Sequence, residues 1–106
     1  MIPINKVKDL ISKHSELEKE LSSGDINRKN FAEKSKEYSE LNEIIQQVKE
    51  YNSFENEKNE LEKIINDSNN DSEIKDLAKN ELKDLIEKNG KNEKIIKIFL
   101  LPKDEA

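Results

Sequence analysis

The 106-residue chain is short of the residues that usually interrupt or cross-link a fold. It contains no cysteine and no tryptophan, and only two glycines and two prolines. The absence of cysteine excludes disulfides and thiolate metal sites within this sequence. Because glycine and proline are the strongest breakers of helices, their scarcity favours long helices. Arg28 is the only arginine, so the bidentate phosphate contacts typical of nucleic-acid-binding proteins are largely missing.

Long apolar runs are also absent. The apolar share is 32% and the mean hydropathy is -1.02, whereas ordinary globular chains contain about 45 to 50% apolar residues. No segment approaches the roughly 20 apolar residues of a membrane-spanning helix. The opening MIPINKVKDL lacks the apolar stretch of a signal peptide. We therefore expect a cytoplasmic protein without a membrane partner.

Charged residues are abundant, at 41% of the chain, and their net charge is -5. Glutamates and lysines recur at helical spacing, which is typical of a solvated, ion-paired helix face and not of an active site. Apolar residues recur every three or four positions, which favours a folded, elongated helical protein over a disordered one. A chain of this length is expected to build one small core.

The first apolar stripe predicts a helix at the beginning of the chain. Pro3 or Asn5 suits its start, because the first helical turn needs no proline donor and can use a side-chain cap. The SSGD turn at residues 22–25 ends it, since Gly24 can adopt the left-handed conformation. The stripe consists of Ile4, Val7, Leu10, Ile11, Leu17 and Leu21, with His14 filling its gap.

A second stripe predicts a long central helix. Asp25 or Asn30 can cap its start, and no breaker interrupts it before the NDSNNDS turn at residues 66–72. At 1.5 Å per residue such a helix is on the order of 50 Å long. Apolar density is highest at residues 44–48. Because short connections make sequential helices neighbours, we expect the first and third helices to overlap there, each packed on one half of the central helix.

The third helix is predicted to begin after an Asp71 cap. Gly90 leaves two alternatives, because it follows an asparagine and could end this helix, with residues 91–101 as a separate strand. Heptad spacing of the apolar residues favours a helix that continues to about Lys97 and then becomes extended before a proline. The expected fold is therefore all-α: an elongated antiparallel three-helix bundle or coiled coil, with a long central helix and an extended C-terminal tail.

No residue pattern predicts a catalytic, cofactor or metal site. His14 has no second histidine or cysteine with which to share a metal, so we interpret it as a partly buried polar residue at a helix seam. Residues 67–71 match the first three ligands of a calcium loop, but Ser72 replaces the required glycine and Ala78 the bidentate glutamate. Phosphate-binding and nucleophile-elbow motifs are missing too, so we expect no enzymatic activity.

Three segments carry information beyond composition: KSKEYSELNEII at residues 34–45, DSEIKDLAKNELK at 71–83 and IFLLPKD at 98–104. In order and spacing they resemble the N-terminal region of bacterial peptide chain release factor 1. The LLPKD run is the most specific, because the sister factor for the other stop codons is not similar there. The resemblance implies a helical first domain at residues 1–97, with 98–106 leading as a linker or strand into a next domain.

The resemblance also implies continuity of the third helix through Gly90, and an accessory role in translation termination at UAA and UAG stop codons. The family's codon-reading tripeptide and Gly-Gly-Gln loop are both missing from this sequence. The implied partners are the ribosome, near the stalk base of the large subunit, and the methyltransferase that modifies the glutamine. No sequence-specific nucleic-acid binding is expected. The alternative is a stand-alone coiled-coil adaptor that binds a partner helix.

The closing FLLPKDEA is the most apolar stretch of a polar chain, and it raises the question of what covers it. Each large apolar side chain left in water forgoes roughly 1.5 to 3 kcal/mol of burial. We therefore interpret the segment as a junction whose neighbouring domain is absent from an excised fragment. Three arrangements of the tail stay open: frayed, folded back on the bundle, or paired with another copy through self-association.

Overall fold

The computed structural model describes residues 1–102, which form four α-helices and no β-strand. The helices are α1 (Ile4–Ser23), α2 (Arg28–Asn42), α3 (Ile45–Asn66) and α4 (Ser72–Leu100). The prediction of an all-α bundle is confirmed. The molecule extends over 60 × 33 × 19 Å with a radius of gyration of 18.4 Å, well above the roughly 13 Å of a compact domain of 100 residues. The expected elongation is therefore also present.

The chain bends at Ile44, between α2 and α3. Ile44 has φ -114° and ψ 1°, which lie outside the α-helical region, and its N–H donates to the Leu41 carbonyl at 3.1 Å. Its own carbonyl accepts from the Val48 N–H at 3.0 Å, which starts α3. The expectation of an uninterrupted central helix is therefore wrong, and the bundle has four helices instead of three. One residue outside helical angles is enough to interrupt the helix, even though no glycine or proline is present there.

Side-chain caps fix the starts of α2 and α4. Asn27 Oδ1 accepts from the Asn30 N–H at 2.9 Å. Helix α2 thus starts between the two predicted caps, Asp25 and Asn30, and is capped by neither. Asp71 Oδ1 accepts from the Ile74 N–H at 2.9 Å, which confirms the predicted cap of α4. Both caps satisfy a donor that the first helical turn leaves without a partner inside the helix.

Two glycines behave differently, as the sequence predicts. Gly24 ends α1 with φ 76°, the left-handed conformation that glycine adopts without steric cost. Gly90 lies inside α4, which is continuous from Ser72 to Leu100. The helix thus ends beyond the expected Lys97, and Leu101 is extended ahead of the following proline. The remainder of the predicted tail, residues 103–106, lies outside the described residues.

The core lies where α1, α3 and α4 meet. Its fully buried residues are Val7, Val48 and Ile96, joined by Ile2 at 5% exposure. Partly buried apolar residues pack around them, namely Leu10, Ile11, Ile44, Ile45 and Tyr51. Each fully buried side chain of this kind contributes roughly 1.5 to 3 kcal/mol relative to exposure. The prediction that the helices overlap at residues 44–48 is confirmed.

Helix α2 stands apart from this core. Its backbone packs closely along α1 but does not come within 8 Å of the α4 backbone, Cα to Cα, whereas α3 and α4 pack along each other. Leu41, near the end of α2, is its one buried residue. Helix α2 and the last turns of α4 lie on two sides of an open groove.

Candidate functional site

An open groove separates α2 from the end of α4 and has a volume of about 810 Å³. Four glutamates of α2 and the bend form one side, which we call the acidic wall: Glu33, Glu37, Glu40 and Glu43. Four large side chains from α4 and the residue after it form the other side, which we call the apolar wall: Ile95, Ile98, Phe99 and Leu101. Ile44 lines the groove at the bend.

The acidic wall carries an excess of negative charge. Glu37 is ion-paired with Lys13 of α1. The other three glutamates have no ion pair within residues 1–102. Lys36 is the one cation of the lining and lies on the same wall, so it offsets this charge only in part. A cationic ligand is therefore favoured in the groove over an anionic one.

The apolar wall is unusually open to solvent. Ile98 is 66% exposed and Leu101 is 45% exposed, whereas Ile96, on the same helix, is fully buried. Several exposed large apolar residues side by side are typical of an interaction surface, while single ones are common on any protein. The end of α4 thus has one face in the core and a second apolar face directed at the groove.

A polar cluster of His14, Glu18, Tyr38 and Asn42 joins α1 to α2. His14 is 7% exposed, and its Nε2–H donates to Asn42 Oδ1 at 2.8 Å. Its ring stacks on Tyr38 with centroids 4.9 Å apart. The interpretation of His14 as a buried polar residue at a helix seam is confirmed. The cluster is a structural contact that holds α2 beside α1.

Glu18 completes the polar cluster at its exposed edge. The Tyr38 hydroxyl donates to Glu18 Oε2 at 3.4 Å. Loss of hydration, the negative charge of Glu18 and this hydrogen bond together raise the pKa of Tyr38 above its ordinary value. Tyr38 is therefore neutral at physiological pH and acts here as a hydrogen-bond donor and packing surface.

The calcium-like run at residues 67–71 serves the turn between α3 and α4. Asp67 Oδ1 accepts from the Asn69 N–H at 2.9 Å, which closes a local turn, and Asp71 caps α4. The two carboxylates thus bind backbone donors. Within residues 1–102, no group of three or more histidines, aspartates or glutamates is placed to hold a metal ion.

Sequence reasoning did not find the groove. The spacing of Glu33, Glu37 and Glu40 places these residues on one face of α2, which is readable from the sequence. The face of α4 that lies opposite was not readable, because it depends on the bend at Ile44.

Within residues 1–102, no helix is long and apolar enough to span a membrane.

Comparison with known proteins identifies the family. Residues 10–106 match the family model of the PCRF domain, which leaves residues 1–3 and the start of α1 outside the match. The chain belongs to the PCRF domain family. No solved structure matches it.

Three similar proteins bear the same name. Peptide chain release factor 1 of Pelagibacter ubique (strain HTCC1062) is 61% identical over 106 residues, which cover 100% of this chain and 30% of the relative. The same factor of Wolbachia pipientis subsp. Culex pipiens (strain wPip) is 42% identical over 106 residues, covering 95% and 28%. That of Rickettsia bellii (strain OSU 85-389) is 35% identical over 97 residues, covering 92% and 27%.

This PCRF domain chain thus spans less than a third of the length of those relatives. The matched part is N-terminal in the relatives, and the resemblance to the N-terminal region of release factor 1 is confirmed. The match includes the bend, the acidic wall and the apolar wall, all of which lie within residues 10–106.

Proposed function

We propose that this chain is the N-terminal accessory domain of a peptide chain release factor that acts in translation termination at UAA and UAG codons. The observation that carries the proposal is the 61% identity to a release factor 1 along the whole chain. The match to the PCRF domain model over residues 10–106 supports it independently.

The role of the domain is binding, not catalysis. Its polar cluster is occupied by hydrogen bonds between α1 and α2, and its groove is open to solvent. General acid and base catalysis depends on shielded groups with perturbed pKa values, which an open groove does not provide. An open groove with one charged wall and one apolar wall suits association with a macromolecule.

The partners in this proposal are the stalk base of the large ribosomal subunit and the methyltransferase that modifies the glutamine of release factors. The length of 60 Å supports contact with a ribosomal element far from the catalytic centre, because a packed helical rod fixes distance without a flexible linker. Residues 98–106 would join this rod to a next domain.

A graft tests the proposed function. The first region of the Pelagibacter factor is replaced by this chain, and peptide release is measured on ribosomes programmed with UAA, UAG or UGA. We expect release at UAA and UAG close to that of the parent factor. A graft carrying Val48→Asp, which places a charge in the core, serves as the control with an unfolded domain. Equal rates for both grafts would contradict a role for the folded domain.

Direct binding tests the two partners. Because the chain has no cysteine, an Asn69→Cys substitution in the α3–α4 turn gives a single site for a fluorescent label. Binding anisotropy is measured against intact ribosomes, ribosomes stripped of the stalk base, and the methyltransferase. We expect at least about tenfold weaker binding to the stripped ribosomes, equivalent to about 1.4 kcal/mol. Unchanged affinity would eliminate the stalk base, and absent binding to the methyltransferase would eliminate that partner.

A further inference from the structure

We propose that the groove between α2 and α4 is the docking site for a basic amphipathic helix of a partner protein. The inference rests on the geometry and charge of the groove, and does not depend on the assignment to translation termination. The occupant has large apolar residues on one face, seated on the apolar wall, and lysines or arginines along the flank that meets the acidic wall.

The apolar wall is arranged as the receiving surface for a helix. Ile98 and Phe99 lie three and four positions after Ile95 on α4, so the three side chains share one face of that helix. Helices bound in grooves place anchors at the same spacing, which lets the side chains of the two helices interdigitate. Phe99 is half-buried, and Ile98 is mostly exposed. The apolar wall therefore combines one side chain held by packing, Phe99, with one that still exposes apolar surface to solvent, Ile98.

The size of the groove fits the anchor side chains of a helix. Helices in direct contact lie about 8 to 10 Å apart, and no Cα atom of α2 lies within 8 Å of a Cα atom of α4. The gap of about 810 Å³ lies within the roughly 300 to 1,000 Å³ of pockets that enclose small ligands. It holds a few large side chains, while the backbone of the bound helix stays at the rim.

Charge selects the kind of occupant. Three glutamates of the acidic wall lack an ion pair within residues 1–102, and Lys36 offsets one of them at most. A nucleic-acid backbone is repelled by this wall, since its phosphates carry the same sign. A second copy of the chain is disfavoured because both copies carry net charge -5. A cationic amphipathic helix is favoured by both walls, because its positive charges pair with the acidic wall and its apolar face is buried on the apolar wall.

The test uses the 106-residue chain with the Asn69→Cys label and three synthetic 18-residue peptides. One peptide carries leucines at helical spacing and lysines on the flank. A second has glutamate in place of every lysine, and a third has the first composition in a non-amphipathic order. We expect the lysine peptide to bind at least about tenfold more tightly than either other peptide, and its affinity to fall as salt is added.

Four variants locate the binding. We expect Ile98→Asp to weaken binding of the lysine peptide at least about tenfold. Leu77 is a similarly exposed residue of α4 outside the groove, and we expect Leu77→Asp to change the affinity less than about twofold. We expect Glu33→Lys to weaken binding of the lysine peptide and to make its affinity less dependent on salt. Glu60→Lys, on α3, is the control and is expected to have neither effect. The helical circular dichroism signal is measured to check that each variant is folded.

Several results would overturn the proposal. They are absent binding of the lysine peptide, equal binding of the glutamate peptide, and equal losses in the groove variants and their matched controls. Sedimentation of the unlabelled chain provides the last outcome. A dimer that Ile98→Asp dissociates, together with no peptide binding, would assign the groove to a second copy.

Discussion

The core is most sharply tested by Ile96→Ala, which removes side-chain volume at the meeting point of α1, α3 and α4. Ile96 has no exposure to solvent. The substitution deletes three carbon groups, and at about 0.8 kcal/mol each the lost transfer free energy is about 2.4 kcal/mol. The cavity left behind adds to this loss, and measured values for such changes are about 2 to 5 kcal/mol. We expect the free energy of unfolding to fall by about 3 kcal/mol.

Urea unfolding followed by circular dichroism measures this change. Ile98→Ala is the matched control, because it makes the same substitution two positions away at a residue that is 66% exposed. We expect the control to change stability by about 0.5 kcal/mol or less. A loss below about 1 kcal/mol at Ile96, or equal losses at both positions, would refute the assignment of the core. It would also undermine the separation between the core face and the groove face of α4.

Two glycines and the two ion pairs of Glu93 give further tests. Gly90→Ala should raise the free energy of unfolding by about 0.5 to 1 kcal/mol, since its added methyl meets nothing within 4 Å. A decrease in this free energy, measured by urea unfolding, would argue against a continuous α4. Gly24→Ala should lower the free energy of unfolding by about 1 to 2 kcal/mol because φ is 76°, and unchanged stability would contradict that turn. Hydrogen bonds from the Met1 ammonium (3.0 Å) and Lys97 (3.4 Å) hold the pKa of Glu93 below its ordinary value. Their stabilisation is complete above the unfolded pKa of about 4.3 and is lost as pH falls through the lower folded value. Glu93→Gln should therefore make stability fall less steeply between about pH 5 and pH 3, and parallel pH curves would contradict the ion pairs.

Two local contacts outside the groove were readable from local sequence. Asp71 was identified as a cap because an aspartate at that position satisfies a donor two or three residues ahead, whatever the remainder of the fold does. His14 was placed at a helix seam because it fills a gap in an apolar stripe. The partner that it bonds, Asn42, was not predicted, since that contact depends on how α2 lies against α1.

The central helix was predicted incorrectly for an identifiable reason. The sequence around Ile44 contains no breaker, and its apolar spacing is compatible with either a continuous or a bent helix. The local difference between the two is small, because at the bend Ile44 donates to the carbonyl of Leu41 at 3.1 Å and so keeps a backbone partner. Such a difference is decided by packing on α1 and α4, which a local pattern does not report.

Local sequence patterns were sufficient to predict the helical class, the two turns, the cap of α4 and the meeting point of the helices at residues 44–48. These features depend on interactions between residues a few positions apart, which any stretch of the chain carries with it. The turn of the chain at Ile44 depends on packing between helices and is visible only in the folded molecule. That turn brings an acidic face and an apolar face, far apart in the chain, to opposite sides of one groove.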